Sequence, residues 1–428
     1  MPFEATVTEI SSILGSSSKN SEQRLSAVVT DSREAVEDSI FLARIGETMD
    51  GHNYIESAYS NGARGFIVSE GWYENNPTEH LSGAYFFPVS DADEALADLA
   101  RAYRDKSQAK VLCVTGSNGK TTTKEILGHV LKEVLGQGTR NIKSYNNHVG
   151  LPQTILESNQ DDKWLVLEAG MNHLGELTVL SSIAKPDVAI ILNVAPAHIG
   201  HFESVEQIAK SKCELLTGIK PGGVIVLNSD DERLNSAYQE LLPTLSRHKL
   251  VTFGKSESSD LRIQEVWQRG FDGCSFKFCF EAKEFQANLP LIGAHNAYNA
   301  ASCLLACCLG YGLKIEDCIS ALERVPNAPM RLEQIKVGKH LVINDTYNAN
   351  PQSVLSAISS VESATESDTF AVVLGDMFEL GSFSKDYHQE LGQRLANSNC
   401  SLLLAVGPES SALAEAAQAG LKKCFHAA

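Results

Sequence analysis

A short segment that contains two glycines carries residues that could bind phosphate. Its sequence is GSNGKTT, residues 116–122. Gly116 and Gly119 let the backbone approach an anion closely, and Lys120 adds a full positive charge. Thr121 could place its hydroxyl on a phosphate-bound Mg²⁺. The segment therefore predicts a phosphate site made by Gly116, Ser117, Asn118, Gly119, Lys120, Thr121 and Thr122.

The elements around this segment are the ones such a site needs. The apolar run 111–114 predicts a buried strand, and the spacing of apolar residues over 121–135 predicts a helix. The N-terminus of that helix offers unpaired N–H groups to an anion. The spacing differs from the common G-x-x-x-x-G-K-[ST] pattern, because only two residues separate the glycines. A chance Gly/Ser/Asn turn is the alternative, and the flanking strand and helix argue against it.

Composition and charge indicate an ordinary globular protein. The chain has 428 residues, of which 43% are hydrophobic and 21% charged, so it is long enough for two or three domains. A formal net charge of −17 argues against a nucleic-acid or anionic-membrane partner. Residues 1–14 lack a basic start before an apolar core, and no apolar run approaches the roughly 20 residues of a membrane span. We expect a cytoplasmic protein without membrane insertion.

Ten cysteines occur without any C-x-x-C pair, which favours reduced thiols over a disulfide framework or a zinc site. Cys303, Cys307 and Cys308 lie close together in a predicted Ala/Leu-rich helix over 297–309. In such a helix cysteine serves as a small apolar residue, so we expect core packing and no metal site.

Alternating strands and helices organise the middle of the chain. Apolar runs at 164–167, 188–192 and 224–227 predict strands of a parallel sheet. Polar residues follow each run, beginning at Glu168, Asn193 and Asn228. In open α/β sheets ligands bind at these carboxyl ends.

Three domains are predicted, over residues 1–107, 108–326 and 327–428. A second alternating block has predicted strands at 341–343, 370–374 and 402–406, and the linker before it lies around 325–329, where two prolines interrupt a helical pattern. The first hundred or so residues form a unit of short strands and helices.

Several longer motifs resemble one family, the Mur ligases. Besides TGSNGKTT, these are EAGMNHLGEL (168–177), NVAPAHIGHF (193–202), GAHNAYNAAS (293–302), NDTYNANPQS (344–353) and VLGDMFELG (373–381). The resemblance runs from about Ser26 to Gly407. It implies an α/β protein with an N-terminal UDP-sugar-binding domain, a central parallel-sheet P-loop ATPase domain and a Rossmann-like C-terminal domain. It also implies an ATP- and Mg²⁺-dependent ligase that activates a carboxylate as an acyl phosphate and couples it to an amine.

Two of these motifs resemble a particular branch of the family. EAGMNHLGE and YNANP are similar to segments of the members that join D-alanyl-D-alanine to UDP-N-acetylmuramoyl-tripeptide. Relatives that add a single amino acid lack the YNANP-like segment. The resemblance therefore implies these two substrates, a role in peptidoglycan synthesis and a monomeric enzyme. A related Mur ligase, a folylpolyglutamate synthase-like ligase and a non-catalytic nucleotide-binding paralogue are the alternatives.

By this resemblance the catalytic residues are Lys120, Glu168, His198 and Lys212. Glu168 and Thr121 would hold Mg²⁺, His198 would hold a second metal, and Lys212 would become a metal ligand by carbamylation, because CO₂ addition replaces a cation with anionic oxygens. Each has a plainer interpretation from the residues alone: an exposed carboxylate at a strand end, a structural or solvated loop histidine, and a solvated lysine.

The resemblance assigns nucleotide contacts to Asn296, Asn299, Arg331 and Asp345. A helix N-cap is the alternative for one of the two asparagines, and a surface ion pair is the alternative for Arg331. Asp345 resembles the acid that binds ribose. The family usually has a second acid before it, where this chain has Asn344.

The remaining candidates are substrate contacts. Tyr347, Asn348 and Asn350 offer an amide-rich surface suited to a zwitterionic dipeptide, although Asn-Ala-Asn-Pro also favours a turn, and both can hold. By resemblance the other predicted substrate contacts are Ser32, Arg33, Asp50, Asn146, Asn147, Asn172 and His173. Relatives continue beyond a point equivalent to Ala428 with a Lys-Gly-Ser-Arg-like stretch that this chain lacks, so we expect a third domain without its last strand and helix.

Overall fold

The computed structural model describes residues 3–16, 21–46, 48–142, 145–197, 199–245, 247–365, 369–421 and 423–427. Within these residues, three α/β units follow one another along the chain. Their strands lie between residues 4 and 89, between 110 and 289, and between 333 and 427. The predicted domain limits near 107 and 326 fall in the segments that connect these units.

The N-terminal unit is a mainly parallel sheet in the order β1-β2-β3-β4-β5, in which only β1 and β2 are antiparallel. Its strands are β1 (Glu4–Thr6), β2 (Arg24–Val29), β3 (Ser39–Leu42), β4 (Gly65–Ser69) and β5 (Tyr85–Val89). Its helices are α1 (Val7–Leu14), α2 (Ile55–Ser60), α3 (Glu70–Asn75) and α4 (Ala92–Lys106). Helix α4 begins where the carboxylate of Asp91 accepts hydrogen bonds from the first-turn N–H groups of Asp93 and Glu94.

The central unit is built on a larger sheet in the order β14-β13-β12-β11-β10-β9-β6-β8-β7. Following this order, neighbouring strands are parallel from β7 at one edge as far as β12. Its strands are β6 (Lys110–Thr115), β7 (Thr139–Arg140), β8 (Trp164–Glu168), β9 (Val188–Ile191), β10 (Val224–Asn228), β11 (Lys249–Gly254), β12 (Leu261–Gln268), β13 (Cys274–Phe280) and β14 (Lys283–Leu289). The predicted parallel sheet is confirmed. The antiparallel part, β12 to β14, was not predicted.

Helices cover both faces of the central sheet, which explains why its strands are continuous apolar runs. The helices are α5 (Lys120–Leu135), α6 (Gly150–Glu157), α7 (Glu176–Ala184), α8 (Val205–Cys213), α9 (Glu232–Leu245), α10 (His295–Leu305) and α11 (Ile315–Leu322). Along β6, Val111 and Cys113 pack with α4, α6, α7 and α8, whereas Leu112 and Val114 pack with α5, α10 and α11.

Two helices of the central unit change their geometry at the C-terminal end. Helix α8 ends at Cys213 and continues as a 3₁₀ turn, Glu214–Gly218. The helix predicted to reach residue 309 is α-helical only to Leu305 and continues as a π-helical turn, Ala306–Gly310. Cys303, Cys307 and Cys308 are buried there as free thiols, so the predicted core role is confirmed.

The C-terminal unit contains a hairpin and a parallel sheet. The hairpin pairs β15 (Glu333–Val337) antiparallel with β16 (His340–Asn344), and Gly338 with φ +60° makes its turn. The sheet is β17 (Phe370–Gly375), β18 (Cys400–Val406) and β19 (Cys424–Ala427), with α12 (Pro351–Thr365), α13 (Ser384–Ala396) and α14 (Ser411–Ala417). The strand predicted at 341–343 therefore exists as β16, but the tight turn pairs it with β15 and it takes no part in the parallel sheet.

Buried polar contacts join the N-terminal and central units. The Tyr103 hydroxyl donates to the Ser158 carbonyl at 2.6 Å. Arg104, 2% exposed, donates to the Ala184 carbonyl at 2.9 Å and to the Asp187 carboxylate at 3.1 Å. Helix α4 therefore anchors the first unit to the second. Among the described residues, no helix combines the length and apolar content that crossing a membrane requires.

Candidate active site between the central and C-terminal units

The predicted phosphate loop connects β6 to α5 as expected. Gly119 has φ +85° and is the N-cap residue of α5. A Cβ atom at this position would lie 2.5 Å from Oδ1 of Asn299, so both the backbone conformation and the space require glycine. The loop is therefore packed directly against α10.

Lys120 folds back over the loop. Its Nζ donates to the carbonyls of Gly116 at 2.8 Å and Ser117 at 3.3 Å. Burial lowers the pKa of Lys120, and the nearby charge of Glu168 opposes that shift. The ammonium group of Lys120 thus adds positive charge at the mouth of the loop, next to the N-terminus of α5.

The chain after β9 fixes the other side of the loop. The Ser117 hydroxyl donates to the Ala195 carbonyl at 3.0 Å and accepts from the Ala195 N–H at 2.8 Å. Asn193 accepts from the Asn118 N–H at 2.9 Å and donates to the Asn118 carbonyl at 3.0 Å. These bonds hold the loop in one conformation.

Glu168 lies at the end of β8 and is only 2% exposed, so the alternative of an exposed carboxylate is wrong. Its Oε2 accepts from the Thr121 hydroxyl at 3.0 Å, and its Oε1 accepts from Nδ2 of Asn146 at 2.8 Å. Nζ of Lys124 lies 3.8 Å from Oε2. The carboxylate and the hydroxyl predicted to share a metal are therefore adjacent.

Lys212, on α8, is only 3% exposed, so the solvated alternative is wrong for this residue. Burial lowers the pKa of Lys212 well below its ordinary value, and the charge of Lys120 lowers it further. Among the described residues, none forms a hydrogen bond or ion pair with its Nζ. Two residues earlier, Lys210 is exposed and pairs with Glu240 at 2.8 Å. The helix therefore turns only one of its two lysines towards the site.

His198 lies outside the described residues, so its predicted metal role stays a prediction. The chain on its C-terminal side forms a 3₁₀ turn, Ile199–His201. There the Gly200 N–H donates to the Glu379 carbonyl of the C-terminal unit at 3.0 Å.

The described residues suit a magnesium ion bound mostly by its substrate. Thr121 and Glu168 supply hard oxygen atoms next to the phosphate loop, as Mg²⁺ prefers. Within the described part of the chain, no group of three His, Cys, Asp or Glu side chains could hold a metal alone. Mg²⁺ is commonly held by one or two carboxylates together with phosphates and water, which this arrangement allows.

A cavity of about 680 Å³ lies between the central and C-terminal units beside the loop. Its size is that of a pocket for a nucleotide-sized ligand. The residues that line it include Asn118, Gly119, Thr122, Asn193, Asn296, Asn299, Arg331 and Asp345. The structure thus brings together the loop and the four residues predicted to contact the nucleotide.

Asn296 and Asn299 are buried on the first turns of α10. The Asn299 amide donates to Oδ1 of Asn296 at 3.0 Å, and the Asn296 amide donates to the Ile292 carbonyl at 2.8 Å. The N-cap residue is Ala294, without a side-chain hydrogen bond, so the N-cap alternative is wrong for both asparagines.

Arg331 stands on the opposite wall, where its guanidinium lies 4.2 Å from the ring centroid of Tyr347. Nη2 donates to the Thr121 hydroxyl at 3.4 Å, and Nε is buried without a hydrogen-bond partner. Burial lowers the pKa of Arg331, against the opposing charge of Asp345. The surface ion-pair alternative is wrong, because Arg331 forms no salt bridge with a described carboxylate, is half-buried and lies against an aromatic ring.

Asp345 supports the same wall. Its carboxylate accepts from the Leu332 N–H at 3.1 Å, and burial raises the pKa of Asp345. Met330 and Leu332, on either side of Arg331, have φ values of +55° and +49°. This left-handed backbone is strained for residues other than glycine, and such strain concentrates at functional sites.

Comparison with known proteins gives one consistent answer. Models of the "Mur ligase middle domain", the "Mur ligase, glutamate ligase domain" and the "Mur ligase family, catalytic domain" match residues 114–307, 330–428 and 24–104. The UDP-N-acetylmuramoyl-tripeptide--D-alanyl-D-alanine ligase of Bacillus subtilis is 32% identical over 91% of this chain and 82% of its own length. The chain belongs to the Mur ligase family.

Solved structures of Mur ligases confirm the predicted three-domain α/β architecture. MurF from Acinetobacter baumannii is 30% identical and superimposes with a TM-score of 0.88 over 100% of this chain and 90% of that one. MurF from Thermotoga maritima in complex with ADP is 29% identical, with a TM-score of 0.80 over 94% of this chain and 88% of that one. We therefore refer to the three units as the domains of a Mur ligase.

Three predicted substrate contacts lie in the N-terminal domain, and none lines the cavity. Ser32 is buried, and Arg33 is 86% exposed at its side chain and pairs with Asp31 at 2.5 Å. Asp50 accepts from the His52 N–H at 3.0 Å and lies 2.6 Å from the His52 ring. These three residues therefore lie outside the cavity between the central and C-terminal domains of the Mur ligase.

The predicted substrate contacts of the central domain differ in whether their polar groups already form hydrogen bonds within the protein. Asn146 binds Glu168, and Asn147 accepts from the Gly150 N–H at 2.9 Å at the start of α6. Asn172 is exposed, while His173 is exposed and lies 3.2 Å from Glu176.

The C-terminal candidates differ in the same way. Asn348 is exposed, and its Oδ1 accepts from the Ala349 N–H at 2.9 Å. Asn350 accepts from the Ser353 N–H at 2.9 Å, which is an N-cap bond for α12. Asn350 therefore begins α12, and its amide oxygen is already occupied within the protein.

Two residues of this Mur ligase site were not singled out from the sequence. Asn193 holds the phosphate loop, and its position at the end of β9 was the available signal. Asn141 accepts from the Glu168 N–H at 2.5 Å, and no local pattern in the sequence indicates that contact.

Proposed function

We propose that this Mur ligase joins D-alanyl-D-alanine to UDP-N-acetylmuramoyl-tripeptide with ATP, giving UDP-N-acetylmuramoyl-pentapeptide for peptidoglycan synthesis. The main support is the cavity between the two domains. The phosphate loop forms one of its walls, and Arg331 and Asp345 lie on the other. The relatives that match most of the chain are named for this ligation. The YNANP segment supports the dipeptide as amine donor.

The reaction must overcome repulsion between two anions. The terminal carboxylate of the tripeptide attacks the γ-phosphate of ATP, and ADP leaves as the acyl phosphate forms. Lys120 and the N–H groups at the start of α5 stabilise the phosphate charge from one side. Arg331 does so from the C-terminal domain, next to Thr121.

Mg²⁺ would be held by Thr121 and Glu168, and when bound it neutralises phosphate charge and orients the phosphoryl oxygens. Lys212 would contribute only as a carbamate. Its low pKa supports this, because the neutral amine, not the ammonium ion, reacts with CO₂. Asn146 holds the carboxylate of Glu168, and Asn141 holds its backbone N–H.

The amine of D-alanyl-D-alanine then attacks the acyl carbon, and the tetrahedral intermediate collapses to the amide and phosphate. Tyr347 and Asn348 are our candidates for holding the dipeptide, because both lie on the segment between Asp345 and α12. Contact between the C-terminal and central domains would exclude water, which otherwise hydrolyses the acyl phosphate. Ser32, Arg33 and Asp50 would bind the UDP part.

We further propose that the enzyme works as a monomer in the cytoplasm, where it would support cell shape and division through wall synthesis. The competing functions are ligation of a single amino acid and nucleotide binding without catalysis. The burial of the Lys212 amine near the charge of Lys120 argues against a non-catalytic role, because a protein that only binds a nucleotide has no use for a buried ionisable group without a partner.

Phosphate release separates these functions. Purified protein receives ATP, Mg²⁺, UDP-N-acetylmuramoyl-tripeptide and D-alanyl-D-alanine, with each omitted in turn. A parallel series replaces the dipeptide by glutamate or a diamino acid. We expect phosphate release that requires all four components and that is lost when glutamate or a diamino acid replaces the dipeptide. Release with a single amino acid would indicate another branch of the family, and ATP binding without release would indicate a non-catalytic protein.

A further inference from the structure

Asn350 uses its side chain in two directions at once. Towards α12, its Oδ1 accepts from the Ser353 N–H at 2.9 Å, and its own N–H donates to the Ser353 hydroxyl at 3.0 Å. Towards the central domain, its Nδ2 donates to Oδ1 of Asn118 at 2.7 Å. The residue that begins a helix of the C-terminal domain therefore contacts the ATP loop directly.

Asn118 is itself held from the other side. Its backbone N–H and carbonyl bond to the amide of Asn193, at 2.9 and 3.0 Å. A continuous row of hydrogen bonds thus runs from the end of β9, through the ATP loop, to the N-terminus of α12. The row joins two domains at the edge of the cavity that Asn118 and Asn193 line.

The segment carried by Asn350 includes the proposed amine-binding residues. Tyr347 and Asn348 precede it by three and two positions, and Tyr347 also lies against Arg331. Any movement of the N-terminus of α12 relative to the ATP loop would displace this short segment. The Asn350–Asn118 bond therefore ties this segment to the ATP loop.

We propose that Asn350 is a positioning residue that latches the C-terminal domain onto the ATP loop, so that the bound amine reaches the acyl phosphate. This inference rests on the proposed ligase function. It assigns no substrate contact to Asn350 itself, whose amide oxygen and amide nitrogen both bond within the protein. The amide proton and the carbonyl that form the latch would bond to water when the domains separate.

Asn350→Ser isolates the latch from the helix cap. Serine caps helices about as well as asparagine, so α12 keeps its start, but its hydroxyl is too short to reach Asn118. We expect an unchanged melting temperature and KM for ATP within twofold, with kcat for amide formation lowered about fivefold for one lost hydrogen bond. Phosphate released without amide should increase. Asn397→Ser, the same change at an exposed position of the C-terminal domain, should leave all four quantities unchanged.

A double-mutant cycle with Asn118→Ala distinguishes the latch from a purely structural role. If Asn350 acts through Asn118, the double variant is no slower than Asn118→Ala alone, whereas independent roles give additive losses. Additive losses would overturn the latch, and so would an Asn350→Ser variant with a normal kcat and normal coupling of phosphate release to amide formation. Neither result would contradict the ligase function of a wild type that forms the amide.

Small-angle scattering with ADP and Mg²⁺ tests the latch without turnover. The latch can therefore be tested even if the wild type forms no amide and the proposed function fails. A wild type that compacts more than Asn350→Ser supports the latch. Equal radii of gyration contradict it.

Discussion

Replacing Lys212 by methionine should stabilise the free protein and abolish ligation. The side chain of Lys212 is 3% exposed, has no bonded partner among the described residues and lies near the charge of Lys120. Methionine has a similar length, so the substitution removes the buried ionisable amine without opening a void. Replacing a buried ion pair by apolar groups of similar volume is neutral or stabilising by about 1–4 kcal/mol, and Lys212 has no ion-pair partner among the described residues to offset its desolvation. We expect about 2 kcal/mol, or a melting temperature about 4–8 °C higher for a domain of roughly 200 residues.

The pH dependence gives this prediction a sign that can be checked. The folded-state pKa of Lys212 is well below its ordinary value, so between the two values the unfolded chain holds a proton that the folded chain lacks. Wild-type stability therefore rises with pH towards the ordinary lysine pKa of about 10.4. The methionine variant loses this dependence. Its advantage over the wild type should be larger at pH 7 than at pH 9.

Differential scanning calorimetry of the free protein in CO₂-depleted buffer is the appropriate measurement, because a carbamate would change the wild-type reference. Lys210→Met is the matched control. Lys210 is 56% exposed on the same helix, so its substitution should change stability by less than about 0.5 kcal/mol and leave ligation intact. A Lys212→Met variant that melts below the wild type would refute the burial argument. Retained ligation would remove Lys212 from the site.

Three further predictions follow from single contacts. Glu168→Gln should lower kcat by at least about 100-fold and raise the Mg²⁺ concentration needed, measured in the coupled phosphate assay, because a neutral amide is a weak Mg²⁺ ligand. Gly119→Ala should weaken ADP binding at least tenfold by calorimetry, since left-handed backbone costs alanine about 1–2 kcal/mol and its Cβ would meet Asn299 at 2.5 Å. Tyr103→Phe should destabilise by about 1 kcal/mol at pH 8, because the Ser158 carbonyl loses its donor. Burial raises the pKa of Tyr103 to about 12, so that wild-type advantage should disappear between pH 10 and 12 in urea unfolding.

The outcomes that contradict these three are equally specific. A Glu168→Gln variant with a normal Mg²⁺ requirement would remove the carboxylate from the metal site. Normal ADP affinity in Gly119→Ala would mean that the loop tolerates a side chain against α10. A constant stability difference between Tyr103→Phe and the wild type from pH 8 to 12 would contradict the burial of the phenol.

The phosphate loop and the parallel sheet could be predicted because their signals are local. Glycines at fixed positions, an apolar run and a helical period lie within residues 110–135. Glu168 was found in the same way, from its place after an apolar strand. What the sequence could not give was its burial, because that depends on Asn141 and Asn146 from another segment.

The contacts that join distant segments could not be predicted. Asn350 and Asn118 are 232 residues apart in the chain, and Asn118 and Asn193 are 75 apart, so no periodicity relates them. Lys210 and Lys212 look alike in the sequence, and only the packing of α8 decides which one is buried. The antiparallel pairing of β12, β13 and β14 likewise depends on partners that no local pattern identifies.

Isotope transfer tests the central claim most directly. UDP-N-acetylmuramoyl-tripeptide carrying ¹⁸O in its terminal carboxylate is incubated with the protein, ATP, Mg²⁺ and D-alanyl-D-alanine, and the products are weighed by mass spectrometry. An acyl phosphate intermediate predicts the mass of the pentapeptide and one ¹⁸O in each released phosphate, because the carboxylate oxygen leaves with phosphorus. Unlabelled phosphate, or labelled phosphate without the pentapeptide, would contradict ligation through an acyl phosphate.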